Sequence, residues 1–415
     1  MSNHRQTGIR LIGVLWALLL LVTVGTASPK SSQLRDAQEI QQVVERLRHQ
    51  KITGELKMGV VSKSDVIKFL DERISEEYSS EEFKWMETTA KLLELMPWTY
   101  DYRQEIRAIM VEQIGGFYDH KTKELFIADW ISGLMQKPVL AHEIFHGVQV
   151  QEWDAGRLLD TETLKLDQLM AHQALMEGDA TIVMAHFMVA DANLDDATLD
   201  GVFVQTVKSA MHGLSLKPSV AKFMGSSEKF AAAPRYIKRS LVLPYAIGAE
   251  FVISLRQKAG WDWKRINQVY ADPPKTTEQI LHPERYWKNR DYPISPKRHF
   301  RMPSGWKILK TDTFGMMMIS ESLDRHAPHS KAPRLLNGWA GDETLLLGQA
   351  DKRVLVVNSV WDNEASAASF AEQWQQSYLK HPGCAVRVKG RHVTVLLART
   401  PLELKEVLVK MGLET

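Results

Sequence analysis

The feature that most constrains this chain is the pentapeptide His142-Glu143-Ile144-Phe145-His146, in a stretch whose spacing predicts a helix from Val139 to about Glu152, with Pro138 tolerated in its first turn. Residues four apart on a helix share a face, so both imidazoles reach one ion, while Glu143, about 100° around the axis, stands beside it without having to ligate. His142, His146, Gln149 and Trp153 form one stripe, and Leu140, Ile144 and Val148 form another. One face therefore serves a metal and the other packs into a core. A third ligand has to be brought to this helix from elsewhere in the chain.

That ligand is a His, Asp or Glu. The single cysteine, Cys384, excludes both an intramolecular disulfide framework and a cysteine-rich metal cluster. Glu177 follows His146 within Ala174-Leu175-Met176-Glu177-Gly178-Asp179-Ala180-Thr181, inside a stretch from Thr163 to Ala190 that has no proline and reads as one long helix or two abutting ones. Two carboxylates there are costly to bury unless they ligate or pair. Glu177 and Asp179 lie about 200° apart around a helix and do not face one ion. Glu177 is the expected ligand. Asp179 is the expected support, accepting from an imidazole N–H or bracing a neighbouring segment. Gly178 is expected to allow close approach to the metal-binding helix. His172 and His186 flank this segment and read as ordinary helix histidines.

The chain has 415 residues, enough for two folded units behind a short leader. Lys plus Arg number 52 against 50 Asp plus Glu, and a net charge of +2 leaves no footprint for a polyanion, so nucleic acid is not an expected partner. At the N-terminus, Arg5 and Arg10 precede an apolar run from Leu11 to Val24 and the small residues Gly25, Thr26 and Ala27. This order predicts a secretory signal peptide over residues 1–27, cleaved after Ala27. The run falls short of the roughly 20 residues a spanning helix needs, with an uncleaved anchor as the alternative. The expected location is periplasmic or secreted. No membrane contact is expected beyond the leader.

Along the rest of the chain, Val43, Val44 and Leu47 fall at helical spacing, and Ser62-x-x-Asp65 has the form of a capping box before Val66, Phe69, Leu70 and Ile74. Glu76, Glu77, Glu81 and Glu82 read as a solvated acidic turn. Helices are expected at Tyr102–Gln113, Leu199–Met211 and Pro244–Ala259, and a hairpin at Gly115–Asp119 with Glu124–Ala128. Past a boundary near residue 300 the pattern changes to strands at Thr344–Leu347 and Arg353–Asn358, a helix at Glu364–Tyr378, a hairpin of Ala385–Lys389 with His392–Ala398, and a helix at Leu402–Met411. The expected fold class is α+β: a mostly helical catalytic domain with a short edge hairpin over residues 28–299, then a smaller α+β accessory domain over 300–415.

HEIFH followed about thirty residues later by ALMEGDAT resembles the gluzincin metallopeptidases, specifically a set of exported bacterial zinc metallopeptidases of unassigned substrate. VERLRHQ, EQIGGFYDHKTKELFIA, PYAIGAEFV and GWDWKRINQVYADPPKTTEQILHPERY are similar to the same set, so the resemblance covers roughly residues 40 to 290. Phe145 stands where that set commonly has Thr, and His120 where Pro is usual. Neither departure touches a proposed ligand.

The resemblance implies a zincin-like fold holding Zn2+ on His142, His146 and Glu177. In it, Glu143 takes the proton of a water activated by the metal and passes it to the leaving amine. It also implies an edge strand over the cleft, Gly115–Asp119 or Glu124–Ala128, to which an extended peptide or protein substrate adds. Tyr245 and His282 are candidate oxyanion donors, although Thr276-x-x-Gln279 reads as a capping box for a short helix that His282-Pro283 ends. The rival reading is a non-catalytic exported zinc-binding or peptide-binding protein with a degenerate zincin fold. All four chemical positions being intact argues against decay.

Overall fold

The computed structural model describes residues 23–24, 30–77, 79–114, 116–132, 136–190, 195, 197–201, 228–326 and 336–414. Most of the expected leader, Gly115 and the greater part of the helix expected at Leu199–Met211 lie outside the described residues.

The N-terminal region is mostly helical, and capping chemistry sets where its helices begin. Helix α1 is Lys30–Arg48 and α2 is Lys63–Glu77. Ahead of α2 the Ser62 N–H donates to Asp65 Oδ2 at 2.9 Å and the Asp65 N–H to Ser62 Oγ at 3.3 Å, so the box closes in both directions. Helix α3, Ser80–Leu92, starts with a second such box at Ser79. There the expectation of a solvated face is corrected for Glu82, which is buried and accepts the Ser79 N–H at 2.8 Å. A box carboxylate turns back onto its cap and leaves the solvent. Helix α4, Tyr102–Gln113, is capped by Asp101.

The hairpin of β3 (Gly116–Asp119) and β4 (Glu124–Ala128) forms as expected. It gains a parallel partner, β2 (Lys57–Val61), whose short run broken by Gly59 carries no clear strand pattern. The order is β2-β4-β3, which leaves β3 at the edge of this mixed sheet. Thr23–Val24 (β1) pairs with Ile131–Ser132 (β5) in a separate two-strand ladder.

Helix α5, Gln136–Trp153, is buried from Pro138 to Val150. It has no solvent face because α1, α6, the 3-10 turn Ala155–Leu159 and the small sheet surround it. Helix α6 is one continuous helix, Leu166–Met188. Against it packs α7, Arg235–Lys258, which starts well before the expected Pro244 and carries that proline inside. The lost N–H of Pro244 is offset by burial of Ile237, Leu241, Leu243, Ile247 and Phe251 along the same helix. Gly178 serves this contact and not, as expected, the metal-binding helix. A Cβ on Gly178 would stand 2.0 Å from the Gly248 carbonyl carbon, so the two backbones touch where both residues lack a side chain.

The C-terminal region is a five-stranded antiparallel sheet, β6 (Lys307–Asp312), β7 (Trp339–Gln349), β8 (Lys352–Trp361), β9 (Cys384–Lys389) and β10 (His392–Ala398), in the order β6-β7-β8-β10-β9. Alternate residues feed two cores. Leu345, Leu347, Val354, Val356 and Leu396 pack with the last helix, Pro401–Met411. Leu346, Leu355, Val357, Val393 and Val395 pack with the Glu364–Ser377 helix in a cluster that runs on into the N-terminal helices. With both faces covered, the inner strands β8 and β10 are buried along nearly their whole length, whereas the edge strands β6 and β9 are not. The helix Gly315–Leu323 is buried on all sides at the seam between the two regions and packs against α6.

Candidate metal centre

His142 and His146 project from one face of α5, and Glu177 meets them from the middle of α6. Their fractional exposures are 1%, 7% and 1%, and that of Glu143 is 2%. His142 Nε2 lies 3.0 Å from His146 Nε2 and 3.0 Å from Glu177 Oε2, and His146 Nε2 lies 3.5 Å from the same oxygen. A tetrahedral zinc ion with bonds of about 2.0–2.1 Å holds its ligand atoms about 3.3–3.4 Å apart. The three atoms therefore stand at the corners of one face of such a tetrahedron. The other oxygen of Glu177, Oε1, is buried without a hydrogen-bond partner among the described residues. The donor set thus fits a divalent ion of borderline softness, and a buried His-His-Glu group can hold a metal here.

Glu143 does not join this set. Its Oε2 accepts the Tyr118 N–H at 3.1 Å, tying the side chain to the edge strand β3. It borders the same cavity as His146 and Glu177, a space of about 40 Å³ also lined by Tyr118, His120, Leu159 and Met176. That volume suits an ion with a water and is far too small for a peptide. Of the two strands expected to edge a cleft, β3 is the one at the sheet's edge and tied to Glu143, and its four residues are buried.

Charge in the cluster is strongly coupled. Burial lowers His142 below the ordinary imidazole value. For His146 burial pulls the same way, but Glu177 and Glu143 overcome it and raise the ring to about 9. Burial also works against ionised Glu177, and the two imidazoles outweigh it, leaving the carboxyl low. For Glu143 burial prevails and pushes it up to about 8, only partly relieved by the nearby His146 and the Tyr118 N–H. A metal ion held by these ligands requires unprotonated ring nitrogens and an ionised carboxylate, so its binding would release a proton.

A family profile, Domain of unknown function (DUF8575), matches residues 307–408, the span of the C-terminal sheet with its helices. It does not reach the metal-binding residues. No curated protein and no solved structure matches the chain. No helix among the described residues is long and apolar enough to cross a membrane.

The other expected site residues are distributed as follows. The Tyr245 ring stacks on His142 with centroids 5.8 Å apart, beside the cluster. His282 ends the short helix Thr277–Leu281 and pairs with Glu284 at 3.3 Å, and among the described residues no hydrogen bond or ion pair joins it to the cluster. Asp179 faces away from Glu177's side of α6 and accepts from Arg48 at 2.8 Å and from the Tyr270 hydroxyl at 2.8 Å, neither of which is an imidazole. His172 Nδ1 donates to the Leu158 carbonyl at 3.0 Å, and His186 Nε2 pairs with Asp200 at 2.7 Å. Sequence reasoning gave no role to Gln149, which meets His146 Nδ1 at 2.7 Å, or to Tyr270 and Arg48. Gln149 already lay on the metal-facing stripe of α5. Arg48 and Tyr270 sit in segments where no spacing marks them.

Proposed function

We propose that this chain is an exported zinc metallopeptidase, periplasmic or secreted, that hydrolyses peptide bonds in peptides or proteins. The observation that carries this reading is the division of labour between the two carboxylates: Glu177 completes a three-ligand set at tetrahedral spacing, while Glu143 borders the same cavity uncommitted to the ion. Zinc in this set supplies Lewis acidity toward a water and a scissile carbonyl.

Glu143 then acts as the base. A cation on the neighbouring ligands would favour its ionised form, which is the form that takes the water's proton and passes it to the leaving amine. The Tyr118 N–H keeps the carboxylate aimed between α5 and the edge strand. Tyr245, beside His142, is better placed to bind a developing oxyanion than His282. The small cavity means that a substrate strand reaches β3 only after the cleft opens.

The same enclosure favours one rival, a zinc ion that is purely structural. Zinc-loaded protein incubated with a mixed peptide library separates the two. Cleavage that stops on adding chelator, and a Glu143→Gln variant that retains zinc while losing about 100- to 10,000-fold in rate, are expected. Zinc retention with no cleavage by the parent protein would favour the structural ion.

A further inference from the structure

We propose that Gln149 and Tyr270 form a hydrogen-bonded relay that couples the Asp179–Arg48 ion pair to the ring of His146, making the end of α1 a positioning part of the metal centre. The inference rests on the metal-centre reading and extends it to residues that touch no ion.

The direction of each bond follows from the groups available. The Gln149 amide nitrogen donates to the Met176 carbonyl at 2.9 Å and to the Tyr270 hydroxyl at 2.8 Å, so both of its protons are committed. Its Oε1 must then face His146, and only a protonated Nδ1 satisfies that 2.7 Å contact. The tautomer is thereby set, with Nε2 left to point at Glu177 and His142. Tyr270, having accepted from Gln149, has one proton to give and gives it to Asp179 Oδ2 at 2.8 Å. Burial and the neighbouring Asp179 push the Tyr270 phenol well above its ordinary value, so it remains a donor. Arg48 donates to the same Oδ2 at 2.8 Å. The donors therefore all point one way, from His146 through Gln149 and Tyr270 to a carboxylate whose charge Arg48 holds in place.

Arg48, Gln149, Asp179 and Tyr270 are all fully buried, so water does not stand in for a missing link. Arg48 is itself fixed: its guanidinium lies over the Trp263 ring at 3.9 Å, and Arg256, paired with Asp200, lies over the same ring at 3.6 Å. A ligand histidine is commonly oriented by a carboxylate or carbonyl in direct contact. Here the carboxylate acts through an amide and a phenol, and bonds in such a chain polarise one another in the low-dielectric interior. The Glu177-Gly178-Asp179 triplet thus serves the ion from both sides of α6. Glu177 faces it directly, and Asp179, on the far side, reaches it through His146.

Tyr270→Phe removes one hydroxyl with almost no change in shape and is the test. Zinc affinity, read by competition with a coloured chelator, is expected to fall about 10- to 100-fold. In a Gln149→Met background the same substitution is expected to cost nothing further, since the relay is already cut. In the zinc-loaded protein the His146 Nδ1–H proton resonance is expected to move upfield in Tyr270→Phe, while near-ultraviolet circular dichroism stays that of the parent. Parental affinity and an unmoved Nδ1–H resonance in Tyr270→Phe would overturn the relay, as would losses that simply add in the double variant. A parent protein that binds no zinc would instead remove the metal-centre reading beneath it.

Discussion

The start and the middle of α6 both carry buried carboxylates, put to opposite uses. At the start, Asp167 meets two aspartates of the C-terminal region. Asp167 Oδ1 accepts the Thr277 N–H at 2.9 Å and the Thr277 hydroxyl at 2.5 Å. Asp312 Oδ1 accepts the Leu166 and Thr313 N–H groups at 2.8 Å each, and Asp342 accepts those of Phe314 and Gly315 at 2.8 Å, one on each oxygen. Those of Leu166, Thr277 and Gly315 are first N–H groups of three helices, α6, Thr277–Leu281 and Gly315–Leu323, and those of Thr313 and Phe314 lead into the last. The packing is tight enough that a Cβ on Gly315, which has φ +69°, would stand 1.7 Å from Asp167 Oδ1. In the middle of α6, Glu177 meets ring nitrogens and keeps one oxygen without a hydrogen-bond partner among the described residues. A carboxylate that absorbs backbone N–H groups is already satisfied. One that faces imidazole nitrogens needs a proton or a metal cation between itself and the rings. Clustering of buried acids is therefore no sign of a metal; the identity of their neighbours is.

The sharpest way to break this comparison is to remove one carboxylate of each kind and count metal. Glu177→Ala is expected to take bound zinc from about one ion per chain to nearly none at low micromolar zinc, because a site with three protein ligands spares none. Asp342→Asn should leave the zinc content unchanged. Metal analysis after gel filtration reads both. Equal zinc in the parent and Glu177→Ala would mean that the third ligand lies elsewhere.

A smaller effect is expected at the seam. Asn in place of Asp342 keeps one acceptor and turns an amide NH2 toward a backbone N–H that has lost its partner, at a cost of about 1–3 kcal/mol. The midpoint of urea unfolding would shift accordingly. No shift would mean that the cap is replaced by water and that the seam is wetter than its burial implies.

The same contrast explains what could be read from the sequence. The metal helix and its partner were legible because two ligands four apart, and a carboxylate in an otherwise apolar helix, leave marks that local periodicity exposes. Four of the five strands of the C-terminal sheet were legible, β7 only in its apolar centre, with the β9–β10 turn marked by Gly390 at φ +58°, while β6, Lys307–Asp312, with its three charged residues, was not. The helix Gly315–Leu323 was not legible, because burial on every side erases amphipathic spacing from Met316-Met317-Met318-Ile319. Nor was the link from Gln149 to Tyr270, whose partners stand 121 residues apart. A hydrogen bond across that separation has no local signature. Pro244 misled for a physical reason too: tertiary burial outweighed the local rule against proline inside a helix.

The smallest expected effect concerns pH and isolates Asp167. Burial, the largest influence, raises its carboxyl to about 7 despite the Thr277 donors, with Asp342 and Asp312 adding to the rise. An acid whose folded value lies above its unfolded value binds more protons in the folded state between the two. Stability therefore falls as pH rises through that window, the opposite of a salt-bridged aspartate. Between pH 6 and 8 this one group should remove about 1 kcal/mol from the free energy of unfolding. Asp342, raised to about 6 by burial, completes most of its own loss below this range. Other groups titrate in the same interval, so the informative quantity is the difference between the parent and Asp167→Asn, both with zinc saturating. Asparagine keeps an acceptor for the two Thr277 donors and cannot ionise, so the variant should lose less stability than the parent over those two pH units. Urea midpoints at pH 6, 7 and 8 measure it. Parallel curves would show that Asp167 is ionised throughout, with its charge held by donors beyond Thr277.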